Sequence, residues 1–294
     1  MSDLRFHSQP ELEHPLVIAG FAGWNDAGEV ATSAIRFIRR RWRAERFADI
    51  DPEEFYDFSQ ARPKVRLEKG ERKLTWPTNE FAAHQLDGSR RDIILLSGIE
   101  PHINWRRFVA NIVDICKTYE VATFITLGGL LAEVSHTNAV RVGGSATDPE
   151  LAKELGFTDA ETPSYQGPTG IVGVLTNELR AAGIETASVW ANVPFYIQRS
   201  PNPKGALAIL QRLNSAFTLD LSLHDLEVFA ARFDAQVAAD LEQNPEASAL
   251  AKSIEEQLST DSLEQIDAQD ELPDAESMVN ELERFLKEQL DDQD

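Results

Sequence analysis

The span Leu16–Trp42, LVIAGFAGWNDAGEVATSAIRFIRRRW, leaves the chain few folds to choose from. Leu16–Ala19 is a short unbroken apolar run, the pattern of a strand buried on both faces of a parallel sheet. Gly20 and Gly23 follow, and a missing Cβ lets the backbone turn sharply and approach its neighbours. Asp26 and Glu29 stand at D-x-x-E spacing, where a carboxylate satisfies an orphan N–H at a helix start. Val30, Ala34, Ile38 and Trp42 then recur on one helical face. Arginines at 36, 39, 40, 41 and 43 fill the last turns, where cations complement the helix dipole. Strand, glycine turn and helix make the first half of a βα unit. Loops leaving the C-terminal ends of such strands are where open α/β folds place ligands.

The same grammar recurs downstream. Asp92–Leu96 reads as a buried strand, the loop SGIEPHINW follows, and Trp105–Tyr119 is a helix with Phe108, Ile112, Ile115 and Tyr119 on one face. Thr123–Leu127 is another strand, ending in Gly128-Gly129. Two such passages make right-handed βαβ crossovers the default. Between them, Arg62–Leu67 and Arg72–Trp76 flank a glycine and alternate as a β-hairpin does. Farther on, Ala139–Val142 reads as a strand, Gly143-Gly144-Ser145 as a turn, Ile171–Ala182 as a helix closed by Gly183, Ser188–Val193 as the last strand and Pro203–Phe217 as a helix. From Leu221 the pattern is helical: Leu226, Phe229, Phe233, Val237 and Leu241 form one face, Leu250, Ile254 and Leu258 a second, and Val279, Leu282, Phe285, Leu286 and Leu290 a third.

Charge divides the chain in the same place. Of the net −21, residues 218–294 hold 22 carboxylates against 4 cations, while the preceding 217 residues carry 27 against 24. Two domains are expected, 1–217 α/β and 218–294 acidic and helical. So negative a segment suits solubility or a basic protein partner and argues against nucleic acid. No stretch approaches the ~18 apolar residues of a membrane helix. A single cysteine, Cys116, sits in a helical pattern as a buried structural thiol, and with no apolar leader at the N-terminus a cytoplasmic location is expected.

Metal and phosphate signatures are missing: no H-E-x-x-H, no cysteine pairs, no G-x-x-x-x-G-K-[ST] and no G-x-S-x-G. No metal and no cofactor are expected. Four strand-end loops remain as ligand- or partner-binding candidates. The first holds Gly20, Gly23, Trp24, Asn25 and Asp26; its helix N-terminus suits an anion, but Asp26 and Glu29 oppose one, so capping is favoured. The second pairs Glu100 with His102, either as an acid–base pair or as residues that open the next helix and bind backbone. The third joins Gly128 and Gly129 to Glu133 and His136. The fourth is Tyr165 to Gly170, with Thr169 placed as an N-cap. Arg141, beside Gly143-Gly144, is the evident cation for an anion pocket.

Read in order, LVIAGFAGWNDAGEVA, IDPEEFYDF, ILLSGIEPHINW, ITLGGLLAEVSHT, GPTGIVGVL, SVWANVPFYI, PNPKGALAIL and DLSLHDLE resemble the PAC2 family, the proteasome assembly chaperone 2 family, in its longer actinobacterial form. The resemblance spans about residues 14–230. It implies an α/β, phosphorylase/hydrolase-like three-layer sandwich with a mostly parallel mixed sheet, here carrying an all-helical C-terminal extension. It implies a non-enzymatic assembly chaperone or protein-binding protein, a homo-oligomer such as a trimer, with a proteasome-related or other protein partner. Leu282, Phe285 and Leu286 would anchor that partner in a groove. The alternative is an enzyme or binder of small molecules on a purine nucleoside phosphorylase-like fold.

Overall fold

The computed structural model describes residues 3–86, 91–157 and 167–264, with side chains to Gln257. Tyr165, Leu258, Leu282, Phe285 and Leu286 lie outside the described side chains. Ten strands, β1 (Leu4–Phe6), β2 (Leu16–Ala22), β3 (Glu45–Ile50), β4 (Lys64–Glu68), β5 (Glu71–Thr75), β6 (Asn79–His84), β7 (Ile93–Ile99), β8 (Thr123–Ala132), β9 (Val142–Ala146) and β10 (Glu185–Pro194), alternate with helices. These are α1 (Val30–Trp42), α2 (Trp105–Thr118), α3 (Pro149–Glu154), α4 (Ile171–Ala181), α5 (Pro203–Phe217), α6 (His224–Gln243) and α7 (Pro245–Glu264).

Eight strands form one sheet in the order β1-β3-β6-β7-β2-β8-β10-β9, and β4–β5 stand apart as a hairpin. The sheet is mixed, as expected, but not mostly parallel. Only β7-β2-β8-β10 run parallel, while the pairings β1–β3, β3–β6, β6–β7 and β10–β9 are antiparallel. The parallel centre is where the sequence shows unbroken apolar runs, because both faces are covered. Leu16 and Ile18 of β2, Ile93 and Leu95 of β7 and Ile125 of β8 point to a core shared with α1 and α5. Their neighbours Val17, Ala19, Ile94, Leu96 and Phe124 point the other way, to a core shared with α2 and α4. The result is three layers, helix–sheet–helix.

Helix α6 lies outside α5; the segment that leads into it extends the first core through Leu219, Leu221 and Leu223, and α6 itself through Leu226. Phe229, expected on its inner face, is exposed instead, because Ala230 and Phe233 take the buried stripe. In α7, Ala251 and Ile254 pack on Tyr196, in a small cluster flanked by Phe195 and Ile197.

Several boundaries move. Gly128 and Gly129 lie inside β8 rather than at its end. A Cβ at Gly128 would overlap the Trp190 ring, so the glycine lets the tryptophan lie flat on the strand. The expected strand Ala139–Val142 and turn Gly143–Ser145 are displaced: β9 is Val142–Ala146, glycines included, paired antiparallel with β10. Gly144 is needed there because a side chain would meet the Ser188 carbonyl. The hairpin forms as expected, with Lys69 and Gly70 at φ of 52° and 85°, the two-residue turn that fits strand twist.

Candidate functional site

The parallel strands direct their C-terminal ends to one edge of the sheet, and two of the four candidate loops interlock there with the turn that opens α4. After β2, the chain makes a 3-10 turn at Ala27–Glu29 before α1 begins at Val30. Asp26 therefore caps a helix that starts later than its D-x-x-E spacing suggests. Its carboxylate accepts from the Ala31 N–H at 2.7 Å, the Thr32 N–H at 3.3 Å and the Thr32 hydroxyl at 2.5 Å. Burial raises the Asp26 pKa, against the lowering effect of those hydrogen bonds. Glu29 does not cap; it pairs with Arg36 at 2.7 Å and accepts from the Ser200 hydroxyl at 2.9 Å. Gly20 is close-packed inside β2, where a Cβ would come within 2.9 Å of the Ala31 carbonyl and Ile35. Gly23, at φ 134°, marks the turn itself.

Glu100 is the hub of this edge. Its Oε1 accepts from the Ile171 N–H at 2.7 Å and lies 3.4 Å from the Asn25 amide. Gly23 and Gly170 close in on it so tightly that a Cβ on either would stand 2.9 Å from Glu100 atoms. Gly170, not Thr169, is the N-cap of α4, and it offers no side chain. The carboxylate that completes the helix start comes from Glu100, 71 residues earlier. Asn25 also accepts from the Gly129 N–H through its carbonyl, at 3.0 Å. His102 takes a different partner: its Nδ1 accepts from the Asp57 N–H at 3.0 Å, beside Tyr56. Glu100 and His102 thus bind backbone groups of different segments. Trp24 stands on this edge 61% exposed.

The third loop, with Arg141, borders a separate cavity of about 460 Å³ under residues 133–141. His136 meets the Tyr196 hydroxyl through its Nδ1 at 2.8 Å and its N–H at 2.9 Å. Lys204 donates to the His136 carbonyl and pairs with Asp234 at 3.1 Å. Glu255 of α7 accepts from the hydroxyls of Ser135 at 2.7 Å and Thr137 at 2.8 Å. Burial pushes the His136 pKa down, with Lys204 adding to it against Glu255 and Asp234, while burial pushes Tyr196 up. The Ser135 and Thr137 hydrogen bonds hold Glu255 below its usual range. Arg141 lines this cavity with Glu133, Asp234 and Glu255, and Lys204 is already engaged. With three carboxylates against Arg141 and Lys204, the cavity is a polar one with acidic excess and not a basic anion pocket.

Tyr196, Lys204, Asp234 and Glu255 escaped the sequence reading. Only the Asn202-Pro203 pair signalled anything locally: Asn202 caps α5, accepting from the N–H groups of Lys204 and Gly205 at 3.1 and 3.0 Å. Among the described residues no group of three His, Cys, Asp or Glu is placed to hold a metal, and no helix is long and apolar enough to cross a membrane.

A three-layer α/β sandwich with antiparallel wings, strand-end loops locked by long-range caps and a helical C-terminal cover defines the class of protein. Its lineage follows from the sequence profile of the PAC2 family, which matches residues 20–241, so the chain belongs to the PAC2 family. A PAC2 family protein from Streptomyces avermitilis is 39% identical, with TM-score 0.71 over 76% of this chain and 95% of its own. A proteasome-assembly chaperone homologue from Mycobacterium tuberculosis is 33% identical, with TM-score 0.71 over 80% of this chain and 99% of its own. An archaeal proteasome activator from Pyrococcus furiosus shares the fold at 18% identity, TM-score 0.68, over 82% of this chain and all of its own. Among curated proteins, none matches the chain.

Proposed function

We propose that this protein is a non-enzymatic, assembly-chaperone-like binding protein that works in the cytoplasm as a homo-oligomer, a trimer, and takes a protein partner. The observation that carries this reading is its 33% identity, across nearly the whole of the relative, to a proteasome-assembly chaperone homologue. The strand-end geometry supports it. Asp26, Glu100 and His102, the groups best placed for acid–base work, are bound to backbone N–H groups. We further propose that residues 1–217 and 218–294 are the two functional parts, the first self-associating, the second facing the partner through Leu282, Phe285 and Leu286. Exposed Trp24 offers a second contact at the sheet edge. Capture of the tagged full-length protein from its host's lysate, beside the Leu282→Ala/Phe285→Ala/Leu286→Ala variant, tests this. A stoichiometric protein that co-elutes with the first and is lost with the second is expected; if only the bait elutes, or the triple substitution changes nothing, the reading fails.

A further inference from the structure

The cavity under residues 133–141 lies where two parallel neighbours, β8 and β10, end at Ala132 and Pro194. Open α/β sheets place ligands outside such carboxyl ends. Its wall is shared between the loop after β8 on one side and Phe233, Asp234 and Glu255 of the C-terminal helices on the other. At about 460 Å³ it has the size of a small-molecule site.

Part of its polar lining is spent within the protein. Asp234 holds Lys204, Lys204 also reaches the His136 carbonyl, and Glu255 holds Ser135 and Thr137. The groups left over point to a ligand. Asn202 lines the cavity and is only 3% exposed. Its Oδ1 accepts from the Lys204 and Gly205 N–H groups, which fixes the orientation of the amide, and its Nδ2 has no partner among the described residues. A donor buried so deeply costs free energy unless something accepts from it. The half-buried side-chain amide of Asn192 in β10 also lines the cavity with no partner among the described residues, as do the exposed Glu133 and Arg141.

Charge and hydrogen-bonding capacity together select the chemistry of that ligand. The lining carries three carboxylates, Glu133, Asp234 and Glu255, against the two cations Arg141 and Lys204, while burial keeps His136 neutral. An anion would meet this acidic excess. An ammonium accepts nothing and would leave the Asn202 Nδ2 unpaired. A hydroxyl both donates and accepts, as a side-chain amide does, so vicinal hydroxyls suit Asn202, Asn192, Glu133 and Arg141 alike. Pro194, Ile197 and Phe233 add apolar surface for the C–H face of a ring.

We propose that this cavity binds a neutral polyhydroxylated small molecule, a sugar or cyclic polyol of up to disaccharide size, anchored by the amides of Asn202 and Asn192. The ligand is additional to the protein partner proposed above and does not rest on that reading.

Calorimetric titration of the full-length protein with maltose, trehalose and myo-inositol tests it, with sodium phosphate and putrescine as charged probes. Saturable binding of at least one of the three polyols is expected, with both charged probes at least about ten-fold weaker. Asn202→Ser keeps a favoured capping oxygen on α5 and takes the amide out of the cavity, so affinity for that polyol should fall at least about ten-fold at an unchanged thermal midpoint. Asn192→Ala, which touches no helix cap, should show a similar loss and serves as the reading if the midpoint of Asn202→Ser moves. Glu133→Gln with Arg141→Gln removes charge but keeps hydrogen bonding, and should leave the affinity within about three-fold. No saturable binding of any of the three polyols, tighter binding of phosphate or putrescine, a loss above about ten-fold in the charge-free double variant, or full affinity in the asparagine variants would overturn the proposal.

Discussion

Asp49 is a fully buried carboxylate that stays charged because two arginines and a histidine ring reach it from three directions. Arg5 donates from Nε at 2.8 Å and Nη2 at 2.5 Å, His7 meets it at 2.5 Å, and Arg46 closes the set. Burial by itself would raise its pKa; the hydrogen bonds from Arg46, His7 and Arg5 outweigh that and hold it below the ordinary 3.8. The sign of the linkage follows. A carboxyl whose folded pKa lies below its unfolded one contributes stability that is present above about pH 4 and is lost as pH falls through the folded value. In Asp49→Asn the acid limb of stability between about pH 5 and pH 2 should flatten, and at pH 7 the variant should be less stable by about 1–3 kcal/mol, as for lost charged hydrogen bonds. Urea midpoints across that pH range check it; parallel acid limbs would refute it. The same logic explains what was hidden at the site. Glu100 stands out in sequence as a lone acid beside a histidine, yet its partner, the Ile171 N–H, is 71 residues away. Sequence spacing reveals local caps such as Asp51 or Asn202, which bind two residues on, and cannot reveal a cap supplied across the sheet.

At the scale of elements, burial on both faces decided what was legible. Strands β2 and β7 and helices α2 and α5 read clearly, since apolar runs and the 3.6 period have no competing explanation. Strands β1, β3 and β6 did not. They carry Arg5, Asp49, Asn79 and Glu80, polar residues that break an apolar run and are acceptable only because each finds a partner across the fold: Asn79, for example, accepts from the Ile99 N–H of β7 at 2.9 Å and donates to the hydroxyl of Tyr56, in the loop after β3, at 2.6 Å. Strand β9 was misplaced because paired glycines signal a turn, whereas here the second of them, Gly144, admits the close approach of the Ser188 carbonyl. The distinction between two glycines of the sheet makes this testable. Gly128→Ala drives a methyl into the Trp190 ring and should cost about 1–3 kcal/mol as overpacking. Gly143→Ala, with nothing within 4 Å of its Cβ and an extended backbone, should leave the denaturation midpoint within about 0.5 kcal/mol of the original. Equal effects of the two substitutions would mean that β8 and β10 do not pack through that ring.

For the whole molecule, the question is how the acidic helices belong to the α/β body. Their charge sets them apart at Thr218, but their apolar residues do not: Leu219, Leu221, Leu223 and Leu226 are buried in the core that α1, α5 and the sheet share. Each buried leucine is worth about 2 kcal/mol, and a domain's net stability is only about 5–15 kcal/mol. Helix α7 is held by less, namely Ala251 and Ile254 against Tyr196, with Glu255 on the hydroxyls of Ser135 and Thr137. A chain ending at Gln243 keeps all four leucines and should melt within a few degrees of the full-length protein. A chain ending at Phe217 should melt more than about 10 °C lower, taking ~2–4 °C per kcal/mol for a protein of this size. Calorimetry on the three lengths orders them. If the Phe217 and Gln243 chains melt together, the division at residue 217 is one of packing as well as of charge, and the C-terminal helices can leave the body at little cost. If they separate as expected, α6 is part of the scaffold, and the change of charge at residue 218 does not mark a boundary of packing.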